Sequence, residues 1–185
     1  MTQALLIIDI QRDYFPGGAY PLVAPEAAAE VAGRVLAAYR NSDAPVIHVQ
    51  HLWDAPDATF MRPGTQGIEI HPAVTPKPGE LVITKTEPNS FIGTDLEAEL
   101  RSRGVTDLAI AGMMSSMCVD STTRAAAELG FTATVVHDAC AAPDLELGEV
   151  IVPGAQVHAA FMAALGDGFA ELVRGEDAIA AAATF

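Results

Sequence analysis

The sequence predicts an α/β domain with a mostly parallel central sheet, and three features predict it. Short aliphatic, β-branched runs lack the polar alternation of a half-exposed strand, the pattern of strands covered on both faces. These runs alternate with stretches of helical periodicity, an order that right-handed crossovers turn into helices packed on a sheet. Across 185 residues there is no linker, internal repeat or low-complexity segment, so residues 1–185 read as a single domain.

The first strand is Ala4-Leu5-Leu6-Ile7-Ile8-Asp9, nearly continuous in apolar residues. A helix follows from Pro25, which suits a first helical position because its missing N–H needs no partner there. Val31, Val35 and Tyr39 mark its inner face. Residues 45–50 read as the second strand and 81–84 as the third. Between them, residues 51–79 hold five prolines; an irregular stretch of that length is expected to be a lid, a pocket wall or a contact with another subunit. Thr94-Asp95-Leu96-Glu97 carries a capping-box pattern, Leu96 and Leu100 give the apolar stripe of the next helix, and Gly104 ends it. Residues 107–111 are the fourth strand, followed by a helix over about 116–129 that Gly130 closes. A fifth strand at 132–136, a helix at 153–165 and a last strand at 169–173 complete the order. Residues 180–185 read as loosely held.

Ten basic against 24 acidic residues give a net charge of -14, which repels phosphate backbones and anionic lipid, so neither nucleic acid nor a membrane is an expected partner. No apolar run approaches the roughly 20 residues of a membrane span. No basic stretch and cleavage site mark a signal peptide, and the expected location is the cytoplasm. Two cysteines, Cys118 and Cys140, are too few for a disulfide scaffold.

In open α/β sheets ligands gather beyond the carboxyl ends of the strands. Three reactive residues fall there: Asp9 at the end of the first strand, Lys85 just past the third and Cys118 just past the fourth. Cys118 precedes a helix, whose dipole and free N–H groups are expected to lower a thiol pKa of about 8.5. Alone, Cys118 could be a small buried hydrophobe, Asp9 a strand-end cap and Lys85 a surface cation. Together they form a carboxylate to take a proton, an ammonium to hold charge and a sulfur to attack.

The chain resembles the isochorismatase-like cysteine hydrolases in the segments Leu6-Ile7-Ile8-Asp9-Ile10-Gln11-Arg12-Asp13-Tyr14-Phe15, Ile83-Thr84-Lys85, Val136-His137-Asp138-Ala139-Cys140-Ala141 and, most specifically, 112–126 around Cys118. The resemblance implies a three-layer αβα Rossmann-like sandwich with a catalytic triad in which Asp9 is the general base, Cys118 the nucleophile and Lys85 the support of both. It also implies a cis Met113–Met114 peptide, an oxyanion hole made by the N–H groups of Met114 and Cys118, and a homodimer or homotetramer. Family members that hydrolyse a vinyl ether typically lack the cysteine, so its retention implies an amide-like substrate and a thioester intermediate. The family's nicotinamidase branch binds a metal through an Asp-x-His pair, which His48-Val49-Gln50-His51-Leu52-Trp53 does not supply, and no metal or cofactor is expected.

Phe15, Trp53, Phe60, Asn89 and Phe91 are the candidate pocket walls, with core or subunit packing as the alternative for the aromatic ones. His51, Asp54 and His71 could hold an improvised metal, line the pocket or be satisfied by local hydrogen bonds. Cys140, flanked by alanines, reads as packing, and Gly17-Gly18 as a turn without a phosphate-binding pattern. Two other functions compete: a non-catalytic small-molecule-binding protein on the same fold, and a thiol redox protein, which would want a second cysteine close to Cys118.

Overall fold

A computed structural model describes residues 2–184. Six parallel strands form the central sheet in the order β3-β2-β1-β4-β5-β8: β1 (Thr2–Ile8), β2 (Val46–His51), β3 (Leu81–Lys85), β4 (Val105–Met113), β5 (Thr132–Ala141) and β8 (Glu171–Val173). The order runs outward one way from β1 and then reverses, which puts a topological switch between β1 and β4.

The two faces of β1 explain the aliphatic run. Leu5 and Ile7 enter a core shared with α1 (Pro25–Asn41) and α5 (Gly175–Ala182), through Ala28, Ala32, Val35, Leu36, Ala178 and Ala182. Ala4, Leu6 and Ile8 enter a second core with α2 (Leu96–Ser102), α3 (Asp120–Glu128) and α4 (Gly154–Gly166), through Leu96, Leu100, Ala126, Met162 and Leu165. Every residue from Ala4 to Ile8 is buried, so alternation has no solvent side to report. The expected three-layer αβα sandwich is the fold.

Several elements differ from expectation. Residues 180–182 are not loose: α5 reaches Ala182, and Gly175 lies so close to α1 that a Cβ there would strike Val31, while Phe185 lies outside the described residues. An alanine run offers little periodic signal, which is why this helix escapes a reading of pattern. An antiparallel hairpin, β6 (Leu145–Leu147) with β7 (Val150–Val152), also appears beyond β5. The capping box at Thr94 does not form. Its hydroxyl donates to the Ser90 carbonyl at 2.6 Å and accepts from Leu96 N–H at 3.3 Å, while Glu97 pairs with Arg101. Among the described residues, no helix is long and apolar enough to cross a membrane.

Candidate active site

The parallel arrangement brings three strand ends to one edge. β1 delivers Asp9 one residue past its end, β3 ends in Lys85, and β4 runs into a π-helical turn, Ser115–Val119, that carries Cys118. The backbone there is unusual. Asp9 sits at φ +50°, a left-handed conformation that costs a non-glycine residue about 1–3 kcal/mol unless its surroundings hold it. Gly112, at φ +152°, lies against the Ile8 carbonyl, where a Cβ would collide, so only glycine lets β4 pass β1 at this point. The Met113–Met114 peptide is cis, as the resemblance implied.

Lys85 is the hub. Its Nζ lies 2.7 Å from Asp9 Oδ2, 2.9 Å from His51 Nδ1, 3.0 Å from the Glu87 carbonyl and 3.3 Å from Cys118 Sγ. An ammonium has three protons for these four acceptors, and the sulfur is the farthest of them. The Asp9 and Lys85 side chains are fully buried, and removing such ions from water costs several kcal/mol each unless they are paired. Asp9 Oδ1 is buried without a hydrogen bond from the described residues, which leaves a lone pair for a proton.

Burial raises the Asp9 carboxyl above its ordinary value, against the pull of Lys85. Burial opposes the Lys85 ammonium, but Asp9 and Cys118 outweigh it and leave the amine above its usual value. For Cys118 the expected lowering is corrected. Burial first and the Asp9 charge second push the thiol well up, and Lys85 opposes them without prevailing. The sulfur lies inside a buried turn beside a carboxylate, and both disfavour the thiolate.

Cys118 opens onto a cavity of about 320 Å³ that Met114 and Met117 also line. Trp53 and Phe60 line it, in edge-to-face contact at 5.2 Å, with Tyr20 stacked on Phe60 at 4.7 Å. The other three candidate wall residues lie elsewhere. Phe15 is buried against His71, ring on ring at 3.8 Å, beside a different cavity lined by Arg12 and Asp13. The half-buried Asn89 accepts the Phe91 N–H at 3.0 Å, and Phe91 packs on Phe131 in the second core. Hydrophobicity alone could not separate these rings, because wall and core aromatics carry the same signal. The sequence reading missed Tyr14, Tyr20, Thr86 and Met117. Tyr14 and Met117 fall in the segments that carry the resemblance, which was the available clue.

The improvised metal set does not assemble. Asp54 faces a separate cavity with Arg62, and His71 Nδ1 accepts the Ala73 N–H at 3.3 Å. Among the described residues, the one trio able to offer a metal converging donor atoms is Asp9, His51 and Cys118, within 4.8 Å of one another. The Lys85 ammonium lies within hydrogen-bonding distance of all three.

The 51–79 segment is held by side chains that the sequence reading did not single out. Gln11 is fully buried; its Nε2 donates to the His51 and Ile68 carbonyls, both at 2.9 Å, and its Oε1 accepts the His51 N–H at 2.8 Å. Asp13 accepts from Met61 N–H at 2.6 Å and Ala19 N–H at 3.1 Å. Cys140 lines another cavity with His158 and donates to the Val136 carbonyl at 3.4 Å.

The isochorismatase domain profile matches residues 3–177. An uncharacterized isochorismatase family protein of Bacillus subtilis (strain 168), YddQ, is 52% identical over 165 residues, covering 89% of this chain and 92% of its own. Streptothricin hydrolase of Streptomyces noursei is 40% identical over 172 residues, 90% of this chain and 60% of that one. A crystal structure from Oleispira antarctica, described as of the isochorismatase hydrolase type, superposes with a TM-score of 0.92 at 46% identity, covering 97% of this chain and 96% of that one.

Proposed function

The chain belongs to the isochorismatase family of hydrolases, and from that premise we propose that it cleaves a carbon–nitrogen bond (amide, ureido or lactam) in a small molecule through a thioester on Cys118. The observation that carries this is the meeting of Asp9, Lys85 and Cys118, far apart in sequence, beneath a cavity that Cys118 lines.

Because burial keeps the thiol protonated, proton removal accompanies attack. Asp9, whose raised pKa makes it a stronger base, takes the thiol proton as sulfur bonds to the carbonyl carbon. The carbonyl oxygen becomes an oxyanion received by the N–H groups of Met114 and Cys118. Collapse breaks the carbon–nitrogen bond, and the proton on Asp9 passes to the departing nitrogen. Water, deprotonated by Asp9, then attacks the thioester, releasing the acid and returning the proton to sulfur. Lys85 stays charged throughout and offsets the negative charge that moves between carboxylate and sulfur.

The test is a screen of primary amides, ureas and lactams for ammonia or acid release, with Cys118→Ser as control. Cys118 is expected to be alkylated by iodoacetamide much faster than Cys140, and a responsive substrate to leave a transient acyl mass on it. Equal labelling of the two cysteines, with full turnover by Cys118→Ser, would overturn the reading. Tight ligand retention without an acyl mass shift would make the protein a binding module instead.

A further inference from the structure

We propose that His51 is a substrate-binding residue of this site, its Nε2–H donating to a second, uncharged acceptor on the molecule whose carbonyl carbon Cys118 attacks. This rests on the hydrolase reading and narrows its substrate class to neutral, flat molecules with two acceptors a bond or two apart.

The tautomer follows from the neighbour. His51 Nδ1 lies 2.9 Å from Lys85 Nζ, and an ammonium has no lone pair, so Nδ1 must accept. A neutral ring that accepts at Nδ1 carries its proton on Nε2. Burial first, then the Lys85 charge, holds the imidazole down to about 4, so it is a neutral donor at ordinary pH. Its backbone is fixed on both sides by Gln11, which bonds the His51 N–H and carbonyl at 2.8 and 2.9 Å. Among the described residues, no protein group accepts a hydrogen bond from Nε2.

The cavity supplies the other half of the argument. His51 lines it together with Cys118, and a His51 ring nitrogen lies within 4.8 Å of Cys118 Sγ. A carbonyl carbon in contact with the sulfur can therefore carry a neighbouring acceptor up to the imidazole. No carboxylate, ammonium or guanidinium lines the cavity, and the Lys85 charge beneath it is already met by Asp9. An anionic group would find no free countercharge there, while Tyr20, Trp53 and Phe60 offer flat apolar faces.

The test compares two thiol reagents that differ in one acceptor, iodoacetamide and iodoethane, on Cys118 of the whole chain. In each, sulfur bonds to carbon, iodide leaves, and the thiol proton is lost to Asp9 or water. The iodoacetamide-to-iodoethane rate ratio at Cys118, divided by that of free glutathione, is expected to fall about tenfold in His51→Phe, the loss of roughly one hydrogen bond. It should hold in His51→Gln, which keeps an N–H at similar reach. His51→Leu is the second variant should His51→Phe not fold. A ratio unchanged within about twofold in the folded variant overturns the proposal. So does equal slowing by both reagents, which would mean that His51 acts only through Lys85. If wild-type Cys118 reacts no faster than Cys140 with either reagent, the hydrolase reading fails first and takes this inference with it.

Discussion

Lys85 Nζ lies 2.7 Å from Asp9 Oδ2, with neither side chain exposed to solvent. A buried pair of this kind is costly to break and cheap to remove whole, because the penalty lies in the charge left alone. Asp9→Asn and Lys85→Met are each expected to lower stability by about 3 kcal/mol. The double variant Asp9→Asn/Lys85→Met should recover at least half of the summed loss while remaining inactive. Urea titrations of the four proteins check this, and additive losses would refute the coupling.

Turnover should follow the pair's protonation. Asp9 must be ionised to accept the thiol proton and its pKa is raised, so kcat/KM is expected to fall in acid through a midpoint above 3.8. Lys85 is raised above 10.5, so its deprotonation should cause no alkaline loss before that pH. A pH profile on any responsive amide measures both limbs. An alkaline loss centred near pH 8 would contradict the placement of Lys85.

Gln11 joins the 51–79 segment to the chain just beyond β1 through three hydrogen bonds. Gln11→Leu removes them and leaves the His51 carbonyl and N–H without these partners, at about 1–3 kcal/mol for each buried group, while the Ile68 carbonyl keeps the Gln50 Nε2 donor at 2.7 Å. The segment should then be cut by a protease at least ten times faster than in the wild type, with cleavage sites inside 51–79. Unchanged proteolysis would show that the other contacts suffice.

Gly112→Ala is expected to destabilise the fold by more than about 3 kcal/mol, since the new Cβ meets the Ile8 backbone and φ is +152°. Gly17→Ala offers the contrast, because open space surrounds a Cβ there and only the positive φ opposes it. Thermal unfolding of the two variants reads the difference.

Glu80 ties β2 to the turn before β3. It accepts from Arg40 at 2.6 and 2.7 Å, from Lys77 N–H at 2.7 Å, and contacts His48 Nε2 at 3.0 Å. The Arg40 hydrogen bonds, ahead of the other partners, bring its carboxyl down from 4.5 to about 2. A lowered carboxyl stabilises the fold above its unfolded pKa, and that contribution disappears as pH falls from 4.5 through about 2. Glu80→Gln should therefore cost about 2 kcal/mol at pH 7 and little at pH 2, read from denaturant midpoints at both.

Most of the fold was legible because burial on both faces leaves a plain mark. The Ala4–Ile8 run carries the pattern of a covered strand, and Leu96 with Leu100 announced their helix. The exceptions share one cause. The last helix, the 145–152 hairpin and the Thr94 hydroxyl are decided by what they touch, which local pattern does not record. The same holds for the rings: Trp53 and Phe60 reach the cavity while Phe15 and Phe91 do not, although all four are aromatic residues in or beside irregular segments.

The sequence by itself determined the order of the six sheet strands and the four helices between them, and with it the edge of the sheet at which Asp9, Lys85 and Cys118 had to emerge, because parallel strands end together. Only the tertiary structure decided the electrical state of those groups. Depth of burial, which no linear pattern encodes, makes the Cys118 thiol hard to ionise where the helix dipole alone would have eased it, and places the neutral His51 beside the ammonium as a fourth member of the cluster.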